Sequence, residues 1–539
     1  MTSKDPGTPL AGGGGDPPPS PTARAPRGLT QRALGGMVWT FSGTGAQAVV
    51  QLLTIMALGR LLTPAEFGLM GAATVVIALS QIVSQIGVGP AIIQRRELRP
   101  THVHVAVTLS CTLGFLLGTI VYFGSPAIAR FYRIPEVEPV LRAVAFLFPL
   151  DGLNTVAKSI LSRELRFRHF VAIDVGSFIV GYAGVGVLLA WFGYGVWALV
   201  IANLSQAALR ATVMYAATRH PLRPSFDLRA ARDLLSFGFG HSIAQIGTVI
   251  AQQGDQLVVG RWLGPTALGV YGRAYNLMVL PASGFGRIVN RVLFPVMAQV
   301  QDERGRLAGA YERALAVVGL LSLSISSFLW VVAPEFIPVL LGPAWTAVVL
   351  PFRLFTISLL FRMSSKISDA CTKAAGEVRM RALIQLLFAA LVVTGALLGQ
   401  RWGVGGVAVA VSVAMGVNWL AMAHLSRSVT GLDWVGFARA HAPGVLLALL
   451  IGLTAAAAAE AGRAVRLGSL PILAAAGLAS TLAALTAVWM RPGLFLGPHG
   501  MWAYRLGADL LRRRSRRGTS PETVEADGLA SLGEASPTP

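Results

Sequence analysis

Between residues 35 and 489 the chain is a succession of apolar runs, each close to the ~20 residues that cross a bilayer core of ~30 Å as a helix. The runs do not alternate with period two, so a membrane β-barrel is not the pattern. Fourteen spans are predicted, from 35–57 through 67–92, 234–260, 267–295 and 347–370 to 404–426, 442–462 and 468–489. The loops between them are short, so no soluble catalytic domain is inserted. The fold class expected is an all-α polytopic membrane protein.

Two spans carry an unusual load of polar residues. At ~100° per residue, His241, Gln245, Thr248, Gln252 and Asp255 share one face of the span ending at Gly260. Arg273, Asn276, Arg287 and Arg291 lie in a stripe on the next. Gly264-Pro265 is the turn between them. Polar groups at bilayer depth are costly, so they face a cavity or a partner rather than lipid.

The same stretch occurs earlier in the chain. GRLLTPAEFGLMGAA (Gly59–Ala73) aligns without gaps on GRWLGPTALGVYGRA (Gly260–Ala274), at a constant offset of 201 residues. Carried back into the preceding span, the offset pairs Thr44 with Gln245, Gln47 with Thr248, Gln51 with Gln252, and Thr54 with Asp255. Polar residue falls on polar residue. This predicts two parallel six-span repeats related by an axis along the membrane normal. The division expected is a disordered tail at 1–28, an N-lobe at 29–233 (spans one to six) and a C-lobe at 234–426 (spans seven to twelve). Spans thirteen and fourteen occupy 427–489, and a tail with the basic run Arg512–Arg517 occupies 490–539.

Composition supports a membrane protein: hydrophobic residues are 54%, charged residues 13%. The net charge of +20 is carried by arginines in the short loops, without the interleaved aromatics of a nucleic-acid platform, so no nucleic-acid partner is expected. Arg95, Arg96 and Arg99, then Arg163, Arg166 and Arg168, then Arg219 and Arg223 fall on one side; Lys366, Lys373 and Arg381 join them. Positive-inside topology puts that side and both termini in the cytoplasm. Asp174, close to Arg166 and Arg168, is read as an interfacial partner, and Asp151, near Arg142, as part of either a structural ion pair or a site. Two cysteines, Cys111 and Cys371, define neither a disulfide framework nor a metal site. There is no Walker motif and no dinucleotide fingerprint. No catalytic residue, metal or cofactor is expected.

If the striped spans face each other across the axis, they line a central cavity. The candidate substrate-binding residues are Gln47, Gln51, His241, Gln245, Gln252, Asp255, Arg273, Asn276, Arg287 and Arg291. Arginine forks suit phosphate oxygens, and amides suit sugar hydroxyls.

Three segments carry a family resemblance: Gly59–Ala73, ELRFRHFVAIDVGSFIVGYAGVGVLLAWFGYGVWALV (Glu164–Val200), and DQLVVGRWLGPTALGVYGRAYNLMVLP (Asp255–Pro281) with VLFPVMAQVQDE (Val292–Glu303). They resemble the Wzx-type bacterial oligosaccharide flippases, in the branch typified by the colanic acid exporter, over roughly residues 30–425. The resemblance implies a two-lobed, V-shaped bundle working by alternating access. It implies undecaprenyl-diphosphate-linked oligosaccharide as cargo, moved across the cytoplasmic (inner) membrane for lipopolysaccharide, capsule or exopolysaccharide assembly. Polysaccharide polymerase and export machinery are the protein partners it suggests. A cation gradient or the membrane potential is the candidate drive. The competing readings are a multidrug or cation antiporter of the same superfamily and a membrane polysaccharide ligase or polymerase.

Overall fold

The computed structural model describes residues 49–84, 88–94, 98–220, 224–225, 227–502 and 504–505. Side chains are described for these except 81–84, 90, 94, 228–246, 287–288 and 290–291. Among the described residues the chain is helical, with no strand. In the first half, α1 (Val49–Leu61) and α2 (Pro64–Ser84) form a tight hairpin, followed by the short α3 (Val88–Gln94). Then come α4 (Pro100–Tyr132), α5 (Val137–Val144) and α6 (Leu147–Arg163). α7 (Phe167–Phe178) continues through a π-helical stretch, Ile179–Gly186, into α8 (Val187–Trp191), and α9 (Val196–Thr218) completes the half.

The second half opens with α10 (Leu228–Ile288), two arms bent at Gly264, its π-helical continuation Val289–Leu293, and the short α11 (Phe294–Gln299). It continues with α12 (Arg304–Leu341), α13 (Val349–Ala374), α14 (Val378–Gly399) and α15 (Gly403–Thr430). α16 (Trp434–Ala464) and α17 (Ser469–Met490) follow. Nine segments of the described residues are long and apolar enough to cross a membrane, and Val49–Leu61 and Pro64–Ser80 are shorter apolar helices. The protein is a polytopic helical membrane protein. Several helices outrun the spans expected from hydropathy. α4 has 33 residues and α12 has 38, and α13 runs on to Ala374, beyond the expected end at residue 370. Intrahelical hydrogen bonding continues past the apolar window wherever neighbouring helices supply packing.

The two halves use different chemistry for the same turn. Before α2, Thr63 and Glu66 form a capping box: the Thr63 amide and hydroxyl donate to Glu66 Oε2 at 2.7 and 2.9 Å, and Pro64 takes the first helical position. In α10 the bend is made by Gly264 at φ +84°, a left-handed conformation that a side chain disfavours, again followed by proline.

These turns are where the halves meet. A Cβ on Gly68 would lie 1.7 Å from the Pro265 carbonyl oxygen, and a Cβ on Gly269 would lie 1.8 Å from that of Pro64. Gly68 and Gly269, like Pro64 and Pro265, are equivalent in the repeat, so the contact is reciprocal. Missing side chains let the backbones touch, the usual source of helix affinity in lipid, where burial of apolar surface gives little drive. Beside this seam, the Trp345 indole N–H donates to the Gly59 carbonyl at 2.7 Å, and Arg60 Nη2 to that of Val339 at 2.8 Å. A single apolar core runs through both halves here, from Leu58, Phe67 and Tyr132 to Tyr271, Trp345 and Phe355.

α16 lies along α12. Gly444 meets the backbone of Gly319, and Arg463 grips the buried Glu335 with two bonds of 2.8 and 3.0 Å. Two ion pairs involve residues singled out in the sequence. Arg142 pairs with Glu138 one helical turn away, at 2.6 Å, where no chain reversal is needed. Asp174 pairs with Arg210 of α9 at 3.1 Å, because α7 and α9 pack side by side.

Candidate functional site

A cavity of about 600 Å³ lies between the helices of the first half and α10, whose two arms both contribute to its wall. α1 contributes Gln51, Thr54, Ile55 and Leu58; α2 contributes Phe67, Met70 and Thr74; the π-helical stretch contributes Tyr182. α9 supplies Asn203 and Gln206, and α10 supplies Gln256, Arg273, Asn276 and Ser283. Its volume is within the range of small-molecule pockets, about 300–1,000 Å³.

The local sequence explains the lining. In α9, Asn203 and Gln206 are three residues apart and share a face. The π-helical turn widens the helix locally and aims Tyr182 inward. At Gly181 a Cβ would fall 2.7 Å from the Gln206 amide nitrogen, so the glycine brings α9 against this turn. There Asn203 Nδ2 donates to the Tyr182 hydroxyl at 3.2 Å, and Phe178 stacks on the Tyr182 ring. Thr54 and Thr74 donate to backbone carbonyls four residues back in their own helices, which leaves their lone pairs toward the cavity.

Arg273 is the one charged residue among the described lining. Its guanidinium carbon sits 3.7 Å from the centroid of the Phe67 ring, and Phe67 packs edge-on against Trp345. Stacking on a ring orients the fork without consuming its N–H donors. No carboxylate lines the cavity among the described residues. The walls are otherwise amides, hydroxyls and aromatic faces. They suit a polyhydroxylated solute bearing at most a localised negative charge, and the described lining sets no carboxylate against a cation.

The sequence-predicted residues divide. Gln51, Arg273 and Asn276 line the cavity. Gln252 is exposed and is not among the lining residues. Asp255 is 1% exposed and does not line the cavity, which corrects the expectation for this residue. It faces the interior of the second half, accepting from the Tyr271 hydroxyl at 2.6 Å and from the Gln256 amide at 2.8 Å. The physical reason is the repeat itself. Thr54 and Asp255 hold equivalent positions, yet each turns toward the interior of its own half, so they look into different spaces. Gln47 lies outside the described residues. His241, Gln245, Arg287 and Arg291 fall on α10 or its π-helical continuation, but their side chains lie outside the described ones. Tyr182, Asn203, Gln206 and Gln256 were missed. The three-residue spacing of Asn203 and Gln206 in an apolar span was the available signal.

In the second half the equivalent space is filled. Met70 and Thr74 correspond to Tyr271 and Tyr275, which stack on each other at 6.3 Å and pack edge-on against Phe355. Arg362 Nη1 donates to the Tyr275 hydroxyl at 2.9 Å. Thr74 is exposed, whereas Tyr275 is 6% exposed and Tyr271 0%.

Fold and cavity together define a polytopic helical membrane protein that encloses a polar chamber among its spans. Comparison with known proteins narrows the class. The chain belongs to the polysaccharide biosynthesis protein family, whose model matches residues 57–350 and so takes in both copies of the repeated stretch. It is 26% identical over 386 residues to the teichuronic acid biosynthesis protein TuaB of Bacillus subtilis (strain 168), covering 69% of this chain and 79% of TuaB. It is 26% identical over 336 residues to the lipopolysaccharide biosynthesis protein WzxC of Escherichia coli (strain K12), covering 62% of this chain and 68% of WzxC. Among solved structures, the lipid II flippase MurJ in an inward closed conformation superimposes with a TM-score of 0.69 at 14% identity, over 84% of this chain and 99% of MurJ. An inward-facing multidrug-resistance MATE transporter follows at 0.57 and 18% identity, over 72% of this chain and 96% of that one. At such identities the likeness is one of fold. The family bears out the resemblance to Wzx-type flippases read from Gly59–Ala73 and Asp255–Pro281.

Proposed function

We propose that this protein flips a lipid-linked oligosaccharide across the cytoplasmic membrane for polysaccharide biosynthesis, with the glycan passing through the first-half cavity. One observation carries the choice of path: an amide-lined chamber of about 600 Å³ whose single described charge is Arg273. Sugar hydroxyls pair with the amides, and the arginine fork takes an anionic group of the glycan or its phosphate link. A charged head crossing through this chamber avoids the full desolvation cost of bare hydrocarbon, while a polyprenyl tail stays in lipid. The family, the relatives' names and the MurJ-like fold support this reading. A cationic-drug antiporter is disfavoured by the lack of a described carboxylate in the lining.

In this reading fourteen helices cross the membrane, with two six-helix lobes forming a V and α16 and α17 appended. The charge asymmetry of the loops puts both termini in the cytoplasm and the α1–α2 turn outside. The seam of Pro64, Gly68, Pro265 and Gly269 then closes the chamber from the outside, and parting it completes alternating access. The carrier is an undecaprenyl diphosphate, and a cation gradient or the membrane potential supplies the drive. The protein performs no covalent chemistry and hands its cargo to polymerase and export machinery.

The test is the leaflet distribution of lipid-linked oligosaccharide in cells depleted of the protein. Accumulation on the cytoplasmic leaflet, reversed by the wild-type gene, is the expected result. Normal arrival outside, with the precursor left unpolymerised, would transfer the role to a ligase or polymerase.

A further inference from the structure

The second half carries charge that the first-half cavity does not use. On α13, Arg362, Lys366, Asp369 and Lys373 recur at helical spacing and form one stripe. α13 rises ~1.5 Å per residue, so Lys366 lies ~12 Å and Arg362 ~18 Å from the helix end at Ala374, within the membrane-spanning part. The stripe faces the bundle interior. Arg362 reaches Tyr275 on α10, and Asp369 is held by Arg381 of α14 through two bonds of 2.9 and 2.6 Å. Lys366 lies between them on the same face and is therefore turned inward rather than to lipid.

The charges do not cancel. Asp369 is taken by Lys373 at 2.6 Å as well as by Arg381. Asp255, on α10 near this stripe, has both oxygens engaged by Tyr271 and the Gln256 amide. Arg362 spends one N–H on a neutral hydroxyl, and Lys366, exposed, forms no ion pair of its own among the described residues: the nearby Asp369 is already bonded to both Lys373 and Arg381. Two adjacent cations held at membrane depth, one turn apart and open to solvent, require a mobile anion or bulk water as counter-charge.

The geometry points to an anion-binding station on α13, formed by Arg362 and Lys366, for a phosphate or diphosphate group. It is separate from Arg273, which faces the first half. The station rests on the flippase reading only for the identity of the phosphate's carrier; the site itself stands on the stripe. Arg362 presents a fork that fits two phosphate oxygens, and Lys366 adds a compact charge beside it. Tyr275, held by the guanidinium, fixes the fork's orientation.

The experiment uses the full chain in a neutral detergent. Inorganic pyrophosphate, farnesyl diphosphate and farnesol are titrated while intrinsic tryptophan fluorescence is followed. The wild type is expected to bind both phosphorylated probes and not farnesol. Lys366→Gln, which loses no internal partner, is expected to weaken binding about tenfold, the scale of one charge-assisted contact, and Arg362→Gln/Lys366→Gln more. Lys373→Gln, whose charge Asp369 already neutralises, is expected to bind like the wild type. Binding of farnesyl diphosphate alone assigns the station to a lipid-borne head, and binding of pyrophosphate alone assigns it to a free anion. Equal binding by Lys366→Gln and the wild type, or binding of neither probe, overturns the proposal. If the station binds but depletion leaves leaflet distribution normal, the flippase reading falls and the site does not.

Discussion

The two halves share a backbone plan and differ in what fills it. In the first, Thr54, Met70 and Thr74 leave a chamber bounded by amides from α9. In the second, the equivalent Asp255, Tyr271 and Tyr275 fill that space with a closed chain of contacts: carboxylate to phenol, phenol stacked on phenol, phenol to guanidinium. A duplicated fold therefore does not give a duplicated site. The glycines and prolines fix where helices bend and touch, and a few side-chain volumes decide whether the enclosed space is a chamber or a core.

The comparison is broken most severely at the seam. Gly68→Ala and Gly269→Ala each place a methyl against a carbonyl that no rotamer change can relieve. Each is expected to lower stability by about 3 kcal/mol, the upper end of overpacking costs, with equal effects on the two sides. Gly71→Ala is the control, since its nearest neighbour, the Leu268 side chain, is 3.4 Å away. Thermal unfolding in detergent reads all three. A large difference between Gly68→Ala and Gly269→Ala would contradict the reciprocal contact.

Tyr275→Thr imports the first-half residue into the second. It removes a packed ring and the partner of Arg362, at an expected cost of about 2–3 kcal/mol for a large-to-small change. The converse, Thr74→Tyr, fills the chamber rather than emptying a core and is expected to leave the melting temperature near that of the wild type. Tyr271→Phe is milder. It keeps the ring stack and strips Asp255 of its phenolic donor, costing about 1.5 kcal/mol, as for a buried acceptor losing one of two donors. Asp255→Asn in that background is expected to recover part of the loss, because the group left short of a partner is no longer a charge. Asn203→Leu has the smallest effect on folding, about 0.5 kcal/mol, since its one described partner is the Tyr182 hydroxyl. Transport is expected to fall nonetheless, and unchanged transport would remove Asn203 from the cargo path.

Much of this was legible in the sequence. The 201-residue repeat located the bends at Pro64 and Gly264-Pro265 and marked α1 and α10 as the polar helices. The polar stripes also picked out Gln51, Arg273 and Asn276, which line the cavity. The facing of the stripes was not legible. Periodicity shows which residues of a helix share a face, but not which neighbour that face meets, so Asp255 was expected in a shared central cavity and lies in the second-half core. Tyr182 was hidden in a glycine-rich span that reads as packing, and only the π-helical turn aims it inward. Lys366 was grouped with the cytoplasmic cations Lys373 and Arg381 by charge alone, although it lies inside the expected span and two turns inside α13, which runs to Ala374.

The central claim is that cargo crosses through the first-half chamber, and filling that chamber tests it most directly. Asn276 is an exposed lining residue, and Asn276→Trp would occupy the space without disturbing a described hydrogen bond. The measurement is the leaflet distribution of lipid-linked oligosaccharide in cells whose only copy of the protein is this variant, with Gln252→Trp, outside the lining, as the matched control. The account predicts precursor held on the cytoplasmic leaflet with Asn276→Trp and normal distribution with Gln252→Trp. Normal distribution with Asn276→Trp in a stably folded protein would contradict it.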